Sequence, residues 1–486
     1  SYLIIGGLSP ISLRGVIPQV LESAETKKVV IYDDLSGGSS SSSPTLSDSR
    51  VSIVVGSTFN EQLLQKTLTD NEITHVVDIA SLSTPRETSP IAVARTSVVG
   101  FTHVLDAMRH YGGNPRFVLV SREPSSNRPL SEHTPPLPYS LVAANSMAVE
   151  SMLHSYVISY RMPLTIARLS EGVLAHDLSR GLSAAFFAAA ASDASFSAIS
   201  ITDAARGILA MLNKGVAPEI YNIGGEAMVT QKAVKECIEK VKAGSCCTIS
   251  SNNPTTFPIE RAEKELDWTP EQKNLCEIIK SELAAAAAAP GKLHSFTKVL
   301  LFGTDQPTGK KIVKALEARS ISVVLGTSKP GEDPINVVKE EVFRVAPSNI
   351  VFVGDRNSDP AYFDQEPKPA KLRENVSTNL YSPWILAAIC ERVRCHFAYV
   401  QTFKEEECFL NVGNDEKWPE SGTNEEGRDH FQADHTTSEG VVKGFTKKLL
   451  EQFTSEYQTR FLLSETAVDD ANLASIVERI SKMSVA

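Results

Sequence analysis

Long apolar runs are missing from this 486-residue chain. None approaches the ~20 residues that a membrane-spanning helix needs, so membrane insertion is not expected. An excess of positive charge is missing too. Lys and Arg number 48 against 58 Asp and Glu, for a net charge of −10. Nucleic acid and anionic membranes reward clustered cations, so neither is expected as a partner. Cysteine is sparse: seven residues, with Cys246-Cys247 as the single adjacent pair and no Cys-x-x-Cys or Cys/His ligand spacing. Neighbouring cysteines rarely bridge, and the simpler expectation is unbridged thiols in the cytoplasm or another reducing compartment. Cytoskeletal and mitochondrial assemblies stay open. Asp429-His430 and Asp434-His435 sit in a polar stretch without helical ligand spacing, so no residue is assigned to a metal.

What is present suits a soluble globular protein. Hydrophobic residues make up 42% and charged residues 22%, ample for a core, and the length points to two to four domains. Short apolar strands alternate with helix-period segments. Strands are predicted at Tyr2–Ile5, Lys28–Tyr32, Val51–Val55, His75–Ile79, Arg116–Val120 and Pro163–Arg168, with helices over Asn60–Thr69, Pro90–Tyr111 and Leu141–Tyr160. The pattern then restarts with strands at Lys298–Phe302, Ser322–Leu325, Ile350–Val353, His396–Val400 and Arg460–Leu463. Its helices are predicted to about Arg319, over Lys371–Arg392 and around Val441–Phe453. Buried strands between helices predict parallel sheets covered on both faces. The fold class expected is therefore α/β, as two tandem Rossmann-like doubly wound domains. The run Ala284–Ala289 followed by Pro290-Gly291 marks the joint, with a linker over 290–297 and a second domain over 298–486. The acidic, aliphatic-poor stretch Glu405–Glu439 reads as a solvated insertion. With a strand already at Tyr2, no leader is expected within the chain.

The first strand runs into Gly6-Gly7-Leu8-Ser9-Pro10-Ile11-Ser12. A glycine turn before a helix lets the backbone approach a pyrophosphate and meet it with bare N–H groups. Gly6 is in place, but Ser9 and Ser12 stand at the middle and third positions, and the Ser9 side chain obstructs the approach. Asp33 closes the second strand where a ribose-binding carboxylate belongs. Acidic residues also end strands for solubility alone, and both readings stand. The second copy has Gly303 and Gly309 with Gln306 between them, and its second strand ends without an acid.

Longer segments carry a resemblance. His75-Val-Val-Asp-Ile-Ala-Ser81, Arg116-Phe-Val-Leu-Val-Ser121, Tyr160-Arg-Met-Pro163, Glu219-Ile-Tyr-Asn-Ile-Gly-Gly225 and Glu265-Leu-Asp-Trp-Thr-Pro270 follow one another in order. Residues 2–283 thereby resemble extended short-chain dehydrogenases, the nucleotide-sugar epimerases and 4,6-dehydratases. Asn375-Val-Ser-Thr-Asn-Leu380, leading into Ala387-Ala-Ile-Cys390, resembles the 4-keto-reductase/epimerase half of rhamnose synthases. The resemblance implies a first domain over 1–289, with a Rossmann core to about 168 and a small substrate-type subdomain over about 169–283. It implies an incomplete substrate cap in the second domain. It also implies a dinucleotide site, here vestigial, at Gly6, Asp33, Gly303 and Gly309.

The family's chemistry needs a Tyr with a Lys four residues on, whose ammonium lowers the phenol pKa. None of the 11 tyrosines has a Lys at that spacing, and no lysine occurs between Lys66 and Lys214. Val142 and Ser146 stand at the Tyr and Lys positions, and Ser97 at the Asn position. Arg122-Glu123-Pro124 replaces the dehydratase acid/base set. In the second copy Asn375 and Lys443 match, but Glu439 replaces the Tyr, and a Glu439–Lys443 pair reads best as a surface ion pair. No catalytic residue is therefore assigned. The expectation is a pseudoenzyme that serves as a structural subunit, with other protein subunits as partners and no bound cofactor. The rival readings are an NAD(P)- or nucleotide-sugar-binding sensor and an active enzyme of a rhamnose-type pathway. The two domains are further expected to pair internally as a pseudo-dimer through their long helices.

Overall fold

The computed structural model describes residues 1–35, 40–80, 94–122, 131–134, 138, 140–170, 172–174, 195–225, 228–245, 257–272, 274–287, 293–304, 307–354, 369–393, 395–402, 446, 449–450, 459–464, 473–474, 476–478 and 480. The chain divides into two units. The first comprises residues 1–33, 41–54 and 61–294, the second residues 34–40, 55–60 and 295–486.

The first unit is built on a seven-stranded sheet. Its strands are β1 (Tyr2–Ile5), β2 (Val29–Asp33), β3 (Val51–Val55), β4 (His75–Asp78), β5 (Arg116–Arg122), β6 (Leu164–Leu169) and β9 (Ile220–Ile223). The spatial order is β9-β6-β5-β4-β1-β2-β3, and the pairs β9–β6, β6–β5, β5–β4, β4–β1 and β1–β2 are parallel. Leu3, Ile4, Val30, Val77, Val118 and Ile166 are fully removed from solvent or nearly so. A parallel sheet needs such strands because helices cover both of its faces. On one face lie α2 (Glu61–Asp70), α3 (Gly100–Tyr111) and α4 (Leu141–Tyr160), packed side by side. On the other, α1 (Ile17–Glu22) and the π-helical turn Ser12–Val16 before it pack with α5 (Ile201–Lys214). Helix α4 is capped by the Ser140 hydroxyl, which accepts from the Ala143 N–H, and ends at Arg161 in the left-handed region.

Beyond the large sheet, β7 (Gly172–Leu174), β8 (Ser195–Ser200) and β10 (Met228–Thr230) form a three-stranded sheet. Helices α6 (Gln231–Lys242) and α8 (Leu275–Ala287) pack together against it. Cys237 on α6 and Cys276 on α8 are wholly buried in this cluster and disulfide-bonded. That corrects the expectation of unbridged thiols; helix packing gathers these residues, while their wide spacing in sequence hides them. Between α6 and α8 lies α7 (Glu260–Leu266). Tyr221 of β9 donates to Glu265 Oε2 at 2.7 Å, and Trp268 is buried just beyond. Burial and then this bond push the Tyr221 phenol up to about 12.

The second unit has β11 (Lys298–Phe302), β12 (Ser322–Leu325), β13 (Asn349–Val353), β14 (His396–Thr402) and β15 (Thr459–Ser464), all parallel in the order β12-β11-β13-β14-β15. Doubly wound Rossmann-type architecture is thus borne out, with a shorter sheet in the second unit. One helix, α10 (Ile335–Val345), fills the interval between β12 and β13. The helix predicted over Lys371–Arg392 is three pieces: α11 (Pro369–Val376), a π-helical turn at Ser377–Tyr381, and α12 (Ser382–Val393). Helix α9 (Pro307–Ala318) follows β11. Most of the segment around Val441–Phe453 lies outside the described residues.

Two buried carboxylates fix these units. Glu150 of α4 accepts from Arg168 of β6 through Nη2 at 2.8 Å and Nε at 3.2 Å, with side chains only 6% and 4% exposed. Removing one partner of such a pair strands the other charge in the core, so Glu150→Ala should cost about 3–5 kcal/mol. The double change Glu150→Leu/Arg168→Met should recover most of that loss in urea denaturation.

In the second unit, the Glu341 carboxylate accepts from the Thr327 N–H at 2.7 Å, the Thr327 hydroxyl at 2.6 Å and the Ser328 N–H at 2.8 Å, and from the Ser328 hydroxyl. Burial alone would raise this carboxyl, but the four bonds outweigh it and hold it below its ordinary value. A depressed folded pKa contributes stability that is present above the ordinary glutamate range, about pH 4.3, and is lost as pH falls through the folded value. Urea denaturation between pH 7 and 3 should therefore show a steeper acid loss for the native chain than for Glu341→Gln.

Candidate dinucleotide site

In the first unit the strand order reverses between β1 and β4, where doubly wound sheets open a crevice at the carboxyl ends of their strands. Gly6 leaves β1 with φ +72°, and a Cβ there would lie 2.7 Å from the backbone nitrogen of Ala80. Only glycine fits so close an approach. The Ser9 carbonyl accepts from the Ser12 N–H at 3.1 Å and the Leu13 N–H at 3.0 Å, which makes Ser9 the helix cap. Pro10 therefore falls at the first helical position, where a missing N–H costs nothing, and does not impair the turn.

The serines that replace the two later glycines face each other. Their hydroxyls are 2.9 Å apart, and Ser12, wholly buried, points back toward the Gly6 carbonyl. The hydroxyls fill the turn from within. The close packing that a third glycine would provide falls instead to Gly15, whose Cβ would sit 2.9 Å from the Ala205 Cβ and the Ile201 Cγ2. No motif in the sequence flags Gly15. Asp33 ends β2 half-buried beside the turn, and its Oδ2 accepts from the Leu8 N–H at 3.0 Å. One carboxylate oxygen is therefore fastened to the turn. Gly6 and Asp33 thus stand together at the carboxyl end of the sheet, with the Ser9 and Ser12 hydroxyls inside the turn.

The adjoining helix carries little chemistry. Ser121 is buried at the end of β5, opposite Arg168 in register. Val142 and Ser146 fall in the first two turns of α4. Asn145 between them is buried with its Nδ2 lacking a partner, and Glu150, the one ionisable residue in the first three turns, is locked to Arg168. Ser97 lies in the π-helical turn Arg95–Val99 that leads into α3. Glu123 and Pro124 lie outside the described residues.

The second unit repeats the turn more fully. Gly303 has φ +82°, and a Cβ would lie 2.2 Å from the Val353 carbonyl oxygen; a Cβ on Gly309 would lie 2.4 Å from that of Gly303. Gln306 lies outside the described residues. Where a ribose carboxylate would follow the second strand, Leu325 is exposed and Gly326 presses on Phe302. Thr327 and Ser328 then give their N–H and hydroxyl groups to Glu341, a partner thirteen to fourteen residues on that sequence reading missed. Asn375 is wholly buried, accepts from Asn379 Nδ2 at 2.9 Å, and leaves its own Nδ2 without a partner. Glu439, Lys443, His430 and His435 lie outside the described residues. Among the described residues no helix is long and apolar enough to cross a membrane.

A curated relative, "Uncharacterized protein L780" of Acanthamoeba polyphaga mimivirus, is 30% identical over 161 residues, 33% of this chain. The chain spans about half, 53%, of that relative's length. A dTDP-glucose 4,6-dehydratase from Bacillus anthracis, solved in complex with NAD, is 20% identical with a TM-score of 0.48, covering 59% of this chain and 97% of its own. A UDP-glucose 4-epimerase from Thermotoga maritima, solved with UDP-glucose, is 18% identical with a TM-score of 0.49, covering 59% and 99%. The model of the NAD dependent epimerase/dehydratase family matches residues 15–224. Over those residues, which begin just after the glycine turn, this chain is similar to the NAD dependent epimerase/dehydratase family.

Proposed function

We propose that this chain is a catalytically silent relative of the nucleotide-sugar dehydratases and epimerases, which keeps a dinucleotide crevice in its first unit and serves as a structural subunit of a larger assembly. The observation that carries this reading is the state of α4. Counted back from Glu150 along the helix of the resembling family, Val142 and Ser146 take the places of the phenol and the ammonium that proton transfer needs, and Glu150 is held by Arg168. An alkyl group is neither acid nor base, and an aliphatic hydroxyl does not ionise near neutrality. Similarity to the NAD dependent epimerase/dehydratase family over residues 15–224 supports NAD(P) as the dinucleotide. Asp33 would meet its ribose and the Gly6–Ser12 turn its pyrophosphate. NAD(P) supplies hydride transfer when bound, but without a proton partner on α4 no alcohol can be oxidised in step with it. The motif order along the chain supports descent from a fused dehydratase–reductase of the rhamnose-synthase kind.

Binding should be weak. The NAD+ dissociation constant of the full chain is expected near millimolar, about −4 kcal/mol. Isothermal titration should show it tightened about tenfold in Ser9→Gly/Ser12→Gly and lost in Asp33→Ala. Micromolar binding by the native chain, or no gain from the glycines, would count against the narrowed turn.

Turnover is the sharper test. Incubated with NAD+ and UDP- or dTDP-glucose, the purified chain should yield no 4-keto product above a buffer blank. Product formation that disappears in Asp33→Ala would overturn the reading.

A further inference from the structure

Away from the dinucleotide turn, α2 and α3 bring four metal-ligating side chains together. His103, Asp106 and His110 are spaced three and four residues apart and share one face of α3. Glu61, the first residue of α2, faces them. His110 Nδ1 is 3.4 Å from Asp106 Oδ2 and 3.6 Å from Glu61 Oε1, and His103 Nδ1 is 3.8 Å from Glu61 Oε2. The ligand atoms of Glu61, Asp106 and His110 all lie within 4.8 Å of one another.

These separations are long for direct hydrogen bonds, which favour ~2.7–3.2 Å. They lie close to the roughly 3.3 Å between two ligands that sit ~2.0–2.1 Å from one tetrahedral ion. Glu61 and Asp106 are half-buried and His110 is exposed, so an ion can reach them from solvent. Imidazole mixed with carboxylate suits Zn2+ and its first-row neighbours, whereas Ca2+ and Mg2+ favour all-oxygen sets. We propose that Glu61, Asp106 and His110 bind a divalent transition-metal ion of the Zn2+ class, with His103 as a further ligand across the Glu61 carboxylate.

Arg109 sets the resting state of this site. Its Nη2 lies 3.0 Å from His110 Nε2, and a guanidinium can only donate, so the neutral ring carries its proton on Nδ1, toward the carboxylates. An ion takes that position, and solvent carries the proton from Nδ1 to Nε2. Arg109 then keeps Asp106, at 2.8 Å from its Nε, and the face of Tyr160, 5.2 Å from the ring centre. The guanidinium therefore competes with the ion. Because the ligands come from two helices, an ion clamps α2 to α3.

The test uses the full chain, untagged and stripped of metal, titrated with Zn2+ alone and with Co2+ as a spectroscopic probe. One equivalent should bind saturably and raise the melting temperature, and Co2+ should give tetrahedral visible absorption bands. His110→Ala and Glu61→Gln should each weaken binding at least ~10-fold and remove the bands, while Arg109→Ala should tighten binding. Glu61→Gln keeps size and polarity and reads the carboxylate alone should His110→Ala unfold. Binding unchanged in both ligand variants, or no binding at millimolar Zn2+, would overturn the site.

Discussion

The first unit hangs on the buried ion pair between Glu150 and Arg168. It ties the centre of α4 to β6, and Arg168 lies between Ser121 and Asn222 in register across three adjacent strands. Charges so deeply buried are tolerated only as a pair, since either alone would face an apolar core. This constraint fixes the height and rotation of α4 over the sheet, and with them the places of Val142 and Ser146. The pose of this helix rests on residues other than Val142 and Ser146, and a fold by itself does not establish a reaction.

The two glycine turns are likewise held by packing. Gly6 and Gly303 keep their positive φ because a neighbouring backbone group stands within reach of any Cβ. That requirement belongs to the sheet, not to a ligand. Later in the first turn, where no such crowding acts, two serine hydroxyls bond to each other. In each unit one carboxylate fastens a loop. In the first unit Asp33, at the end of the second strand, holds the glycine turn after β1; in the second, Glu341 of α10 holds the loop after the second strand. The second arrangement spends the carboxylate on Thr327 and Ser328, so the loop is built for stability.

Several features resisted sequence reading because they join residues far apart in the chain. The π-helical turn at Ser12–Val16 widens the helix where Gly15 meets Ala205 and Ile201 of α5. Hydrophobic period alone cannot distinguish such a turn from an ordinary helix. The bridged state of Cys237 and Cys276 depends on α6 lying against α8. Glu61 meets His110 because α2 packs on α3, and no spacing rule connects them.

What the sequence determined by itself is local. Alternating strands and helices, the full extent of α4, the glycine at each first turn, and the absence of any Tyr-x-x-x-Lys are all legible without coordinates. Periodicity and steric need act over a few residues, and an absent residue type is absent in every fold. The tertiary structure alone decided the strand order, the partners of Glu150 and Glu341, and the gathering of imidazoles and carboxylates between α2 and α3. Those depend on packing, which places side chains by shape and burial without regard to their distance along the chain.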